Sequence, residues 1–271
     1  MKIKVLGPLT AEMSGQSIVP SAAKPRQILA LLAVNANHVV PASTLMEEIW
    51  GTRLPRSSTT TLQTYILLLR RMLTAAGGGE GQAAAKRLLV TQHGGYRLVV
   101  EPGAVDQHRY DRLAAEGRAA FDTGDNALAG RTLREALSVW HGQALVDVRT
   151  GPVLGIELAR LEESRLSALE LRIETDLRMG QHTALLAELT ELTARHPLHE
   201  GLHAQRMAAL YRSGRSWQAL QVFQELREGL IEELGIEPSS RLQRLHQAVL
   251  GSDPALDAES SQRPVLNLFA A

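Results

Sequence analysis

Two hydrophobic rhythms share the chain. Lys2 to Leu6 alternates polar and apolar side chains, the period of a half-buried strand, and Gly7-Pro8 ends it. Gln16 to Val19 is a second short β-favouring run. From Ser21 to Asn37 the rhythm turns helical, with Ile28, Leu29, Leu31, Leu32 and Val34 at the apolar positions. His38 to Val40 favours strand until Pro41. Ser43 is then placed to cap a second helix, Thr44 to Trp50, with Glu47 and Glu48 in its early turns. Gly51 to Ser58 is a loop containing Pro55. A third, longer helix is predicted from Ser58 to Ala76, because Leu62, Ile66, Leu69 and Leu73 recur at helical spacing and fall on one stripe. Gly77 stops it, and Gly77 to Gly81 carries no structural signal. Leu88 to Thr91 and Tyr96 to Val100 read as strands. Between them Gln92-His93-Gly94-Gly95 offers a Gly-Gly turn, which supplies the positive φ a tight hairpin needs.

After Glu101-Pro102-Gly103 the strand signals cease. Residues 106–250 are rich in Leu, Ala, Arg, Glu and Gln with periodic apolar positions, and about seven helices are expected. Gly124, Gly180 and Gly214 begin a weak repeat. Each is followed five residues on by Ala129, Leu185 or Ala219, and nine residues on by Leu133, Leu189 or Phe223. That arrangement matches helix–turn–helix repeats of the tetratricopeptide kind. The chain therefore divides into residues 1–101, an α+β winged helix-turn-helix with three helices and a hairpin wing; residues 106–250, an all-α repeat domain; and a tail over 251–271. The fold class is mostly α.

Composition narrows the function classes. Apolar residues form 44% of the 271, enough for a core and too many for a disordered chain. There is no cysteine, which excludes a disulfide scaffold, a thiolate zinc site and a cysteine nucleophile. The apolar run Ile28–Val34 is too short to cross a bilayer, and residues 1–20 do not read as a secretory signal, so a cytoplasmic location without membrane contact is expected. The formal net charge of zero hides a split. Residues 1–101 carry 4 Lys and 7 Arg against 5 acids, +6, and residues 102–271 carry 18 Arg against 24 acids, −6. A basic half points to a polyanionic partner.

The third helix is the candidate reader. With its leucine stripe inward, its opposite face carries Thr60, Thr64, Leu67 and Arg71, flanked by Ser57, Thr61, Gln63, Leu68 and Arg70. Threonine and glutamine offer donors and acceptors to base edges, Thr methyls and Leu67 match thymine methyls, and Arg pairs with guanine or a phosphate. Lys24 and Arg26 at the first helix, Arg70, and His93 and Arg97 at the hairpin are placed to hold phosphates rather than to read sequence. Arg53 and Arg56 lie in the loop before the third helix.

Other motifs point elsewhere. His199-Glu200-Gly201-Leu202-His203 spells the H-E-x-x-H of zinc proteases, but Pro197 puts it at a helix start and Gly201 weakens that helix, so no metal is expected. No phosphate-binding glycine motif is present, and no catalytic set has a supporting motif, so neither an enzyme nor a cofactor is expected. Trp50, Trp140 and Trp217 read as buried packing residues.

The segments LGPL (6–9), KPRQILALLA (24–33), LMEEIWG (45–51), TLQTYILLLRRML (61–73) and GGYRL (94–98) closely resemble the Streptomyces antibiotic regulatory proteins, with their OmpR-type winged helix. RHPLHEGLHAQRMAALYRSGRSWQAL (195–220) and ELGIEPSSRLQRLHQ (233–247) are similar to that family's bacterial transcriptional activation domain. With no receiver domain ahead and no nucleotide-binding domain behind, the chain resembles the family's small members. The resemblance implies an activator of a secondary-metabolite gene cluster that binds direct repeats in double-stranded DNA, spaced by about one helical turn, as a homodimer on DNA, and recruits the RNA polymerase holoenzyme. It makes residues 59–73 the recognition helix, residues 92–97 the wing and the Gly51–Ser58 loop, with Arg53 and Arg56, the polymerase contact. A helical-repeat module whose winged helix docks protein is the alternative, and a metalloenzyme would rest on the histidine pentad alone.

Overall fold

The computed structural model describes residues 1–77 and 81–256, so the tail expected over 251–271 falls, from residue 257 on, outside the described residues. Contacts gather these residues into two compact units. One comprises Met1–Ala114 with Glu135–Leu166, and the other comprises Ala115–Arg134 with the chain from Ser167 onward.

The first unit opens with an antiparallel sheet, β1 (Lys2–Lys4), β2 (Thr10–Met13) and β3 (Gln16–Ser17), in that order. Strand β2 has no counterpart in the sequence reading. It closes on β3 through Ser14-Gly15, both with positive φ (51° and 79°), the two-residue turn whose twist suits a hairpin. Three helices follow: α1 (Ala23–Val34), α2 (Ala42–Trp50) and α3 (Ser58–Ala76). The short strand β4 (Val40–Pro41) precedes α2. Helix α2 starts two residues earlier than expected, with Pro41 at its N-cap and no side-chain cap, so Ser43 lies inside the helix and does not cap it. Helix α3 buries Ser58, Leu62, Ile66, Leu69, Leu73 and Ala76. Each buried leucine or isoleucine contributes about 2 kcal/mol, and together they hold that stripe inward.

A helix absent from the sequence reading, α4 (Gly81–Leu88), precedes the hairpin. Its run Ala-Ala-Ala-Lys-Arg-Leu has strong helix propensity, and Lys86 and Arg87 sit in the last turn, where the helix dipole favours cations. The neighbouring glycines hid that signal. Strands β5 (Leu89–Gln92) and β6 (Gly95–Leu98) pair antiparallel, and β4 joins the free side of β6 to give the order β4-β6-β5.

Helices α5 (Asp106–Asp122), α6 (Asn126–Ser138), α7 (Pro152–Arg178), α8 (His182–Arg195), α9 (Glu200–Arg212), α10 (Ser216–Leu234) and α11 (Ser240–Leu250) follow among the described residues, matching the seven or so expected. The repeat glycines Gly124, Gly180 and Gly214 each take a left-handed conformation between consecutive helices (φ 82°, 78° and 74°). Ala129, Leu185, Ala219, Leu133, Leu189 and Phe223 are all buried, so the six apolar offsets mark packing positions. Trp217 departs from expectation: it is 68% exposed at the start of α10, whereas Trp140 is buried edge-on against Tyr110 with ring centroids 5.4 Å apart. Among the described residues no helix is long and apolar enough to cross a membrane.

Candidate nucleic-acid interface

The face of α3 opposite its buried stripe is uncovered. Thr60, Gln63, Thr64, Leu67 and Arg71 are exposed there, and Thr61 is half-buried at the edge. Thr64 is not a free donor: its hydroxyl donates to the Thr60 carbonyl at 3.0 Å, so it presents its methyl and lone pairs outward. Leu67 and Leu68 are 38% and 37% exposed, an unusual apolar pair on an otherwise polar face. The loop ahead of α3 carries Arg53, Leu54 and Arg56, all exposed.

The hairpin tip is His93-Gly94, not the glycine pair. Both residues have positive φ (50° and 73°), and His93 is exposed at the turn. Gly95 instead begins β6, where an added Cβ would lie 2.4 Å from the Val40 carbonyl oxygen. That glycine is required by the close approach of β4, and the amide of Ala42 donates to the Gly94 carbonyl beside it at 3.1 Å. Arg97 is half-buried on β6, opposite Val90.

Two of the cations expected on phosphates are engaged within the protein. Arg70 turns from α3 to the hairpin, donating from Nε (3.0 Å) and Nη2 (2.7 Å) to the Leu89 carbonyl and from Nη2 to the Thr91 hydroxyl at 2.8 Å. It straps β5 to α3. Arg26 donates from Nε to the Pro20 carbonyl at 3.0 Å and pairs with Asp147 at 3.5 Å. Lys24 remains exposed, its ammonium over the Trp50 ring at 5.1 Å.

Sequence reasoning missed the acids that fasten the first unit together. Glu48 of α2 is 2% exposed, yet its carboxylate is fully engaged. It accepts from the amides of Gly151 (2.6 Å), Val153 (2.9 Å) and Leu154 (2.9 Å) and from the Gln27 side chain (2.7 Å). Those amides open α7, whose first residue, Pro152, has no N–H to satisfy, so Glu48 acts as a remote cap. Asp106 accepts from the amides of Val5 and Leu6, and burial raises its pKa against those same bonds. Asp147 accepts from Leu9 at 2.7 Å. No local pattern announces the backbone partners, because each of those amides lies about a hundred residues or more from its acid.

The histidine pentad forms caps. His199 is the N-cap of α9 and its Nδ1 accepts from the Leu202 amide at 3.3 Å, while the His203 ring donates from Nδ1 to the His199 carbonyl at 3.0 Å. Glu200 accepts from the amide of Ser239, the residue that caps α11. Among the described residues no three acidic or histidine side chains gather as a metal site.

Residues 15–98 match the family described as transcriptional regulatory protein, C terminal, and residues 105–250 match the bacterial transcriptional activator domain. The chain is 53% identical to the regulatory protein DnrI of Streptomyces peucetius over 97% of both chains. It is 37% identical to the regulatory protein AfsR of Streptomyces coelicolor over 94% of its own length, spanning 25% of that larger protein. Among solved structures, Mycobacterium tuberculosis EmbR in complex with a low affinity phosphopeptide superposes with a TM-score of 0.86 at 30% identity, covering 96% of this chain and 67% of that one. With a winged-helix half and an activator-domain half both matched along the chain, the protein belongs to the Streptomyces antibiotic regulatory protein family of transcriptional activators.

Proposed function

We propose that this protein binds direct repeats in promoter DNA and activates a secondary-metabolite gene cluster by recruiting the RNA polymerase holoenzyme, from the cytoplasm and as a homodimer on DNA. The observation that carries this is the open face of α3, with Thr60, Thr61, Gln63, Thr64, Leu67 and Arg71 set opposite the buried leucine stripe. Base edges in a major groove meet that mixture of acceptor, amide, methyl and guanidinium groups. Lys24, His93 and Arg97 are left to meet phosphate, since Arg26 and Arg70 serve internal contacts. The exposed Arg53-Leu54 pair and Arg56 suit a protein partner, which supports polymerase contact through this loop. The catalytic-looking motif at His199–His203 is occupied by helix capping.

Footprinting on the promoters of neighbouring genes, with and without polymerase, tests the proposal. Protection of two repeats on one face of the duplex, strengthened by polymerase and weakened steeply by salt, is expected. Equal affinity for promoter and random DNA, or binding insensitive to salt, defeats it.

A further inference from the structure

We infer that the C-terminal half of α3 reads thymine through its 5-methyl group, with Leu67 as the specificity-determining contact; this rests on the DNA-reading role proposed above. Beside Leu67 the helix surface has a concavity of about 290 Å³ lined by Leu67, Arg70, Arg71, Thr74 and Ala75. Two of its three polar side chains are engaged elsewhere. The Thr74 hydroxyl donates to the Arg70 carbonyl at 2.9 Å, and the Arg70 guanidinium is fastened to Leu89 and Thr91. One turn toward the N-terminus, Thr64 likewise gives its hydroxyl proton to the helix. What remains outward is Leu67, the threonine methyls and Ala75, with the exposed Arg71 at the rim.

Apart from Arg71, which can reach a guanine or a phosphate from the rim, such a surface offers a base edge nothing to hydrogen-bond, so adenine and cytosine gain nothing from it. Thymine alone presents a methyl group in the major groove. The occupant is nucleic acid rather than an apolar peptide because of charge complementarity. Arg71 stands beside the concavity, and the first 101 residues carry 11 Lys and Arg against 5 acids. The helix thus divides its labour. Gln63 and the lone pairs of Thr60 and Thr64 meet polar base edges, and the half from Leu67 onward meets methyls.

The test compares two versions of one promoter fragment from the neighbouring genes, amplified with thymidine or with deoxyuridine triphosphate. Uracil keeps every hydrogen-bonding group and lacks only the methyl. The full chain is titrated against both and against random DNA. Covering one methyl is worth about fourfold in affinity, so at least that preference for the thymine duplex is expected from the native protein. Leu67→Ala is expected to weaken binding to the thymine duplex and to abolish the difference between the two. Because Leu67 is partly exposed, the truncation leaves the core intact. If the native protein prefers promoter to random DNA but binds the thymine and uracil versions alike, methyl reading is overturned while DNA reading stands. A thymine preference that survives unchanged in Leu67→Ala overturns the assignment of Leu67. No preference for promoter over random DNA removes the proposed function and the inference with it.

Discussion

An ionised carboxylate held away from water is tolerable only when its oxygens are fully hydrogen-bonded. Glu48 meets that condition with three backbone amides and one side-chain amide, and the N-terminal end of the α7 dipole adds to the attraction. Glu48→Ala would remove the acceptor and leave those donors buried without partners. A loss of about 3 kcal/mol or more in unfolding free energy is expected, read as a lower urea midpoint. Glu48→Gln keeps one acceptor oxygen but faces donors with its own NH2, so an intermediate loss is expected. Equal midpoints for all three proteins would show that the carboxylate does not hold α2 to α7. Gly151 completes the arrangement, because a Cβ there would lie 2.0 Å from the Glu48 carbonyl oxygen. None of this is written near Glu48 in the sequence, where it passes for an ordinary acid in the early turns of a surface helix. Burial revealed it; periodicity did not.

Among the elements, helix α9 carries a buried histidine and helix α11 a half-buried one. His203 is buried, and burial lowers its pKa, with Arg206 acting in the same direction and the bond to the His199 carbonyl opposing. His246 lies on the Phe223 ring with centroids 4.0 Å apart, and burial lowers its pKa too. In the unfolded chain a histidine takes up its proton near pH 6.5. The folded chain resists doing so, so stability is fully present above that pH and falls as the pH drops toward the depressed folded values. The slope from His203 cannot exceed about 1.4 kcal/mol per pH unit. Urea midpoints are therefore expected to be lower at pH 5.5 than at pH 7.5, and His203→Gln is expected to flatten the difference. An unchanged slope in that variant would place the effect elsewhere. Elements of this kind were legible from the sequence wherever period and turn chemistry agreed. The repeat glycines and their buried offsets and the third helix appear where the pattern put them, and the two hairpin strands appear shifted by one or two residues. What escaped was short or masked: β2, with four residues, and α4, whose alanine run adjoins a glycine tract. The hairpin tip was misplaced by one residue because Gly95 looks like a turn glycine, although its role is to admit the Val40 carbonyl.

At the scale of the molecule, sequence character and packing draw different boundaries. Composition changes at Glu101-Pro102-Gly103, whereas the first compact unit continues to Ala114 and takes in Glu135–Leu166. The reason lies in the backbone of the N-terminal segment. Val5 and Leu6 give their amides to Asp106, and Leu9 gives its amide to Asp147. The carbonyl of Leu6 accepts from His141, and the Leu145 amide donates to Gly7 at 2.7 Å. Ile3, Val5 and Leu6 are buried beneath those partners. A fragment ending at residue 101 would therefore keep α3 but expose these groups to water, together with the Glu48 carboxylate. Uncovering a buried valine, leucine or isoleucine costs about 1.5–3 kcal/mol, so losing the cover of Ile3, Val5 and Leu6 takes away much of the margin of a domain of that size. The 1–101 fragment is expected to melt tens of degrees below a fragment ending at residue 166, with amide exchange at Val5, Leu6 and Leu9 on the scale of minutes. If the shorter fragment matches the longer one in melting temperature and in DNA affinity, the winged helix is autonomous. The contacts beyond residue 101 would then be an accessory to DNA reading, and the residues that orient α3 would all lie within the first hundred.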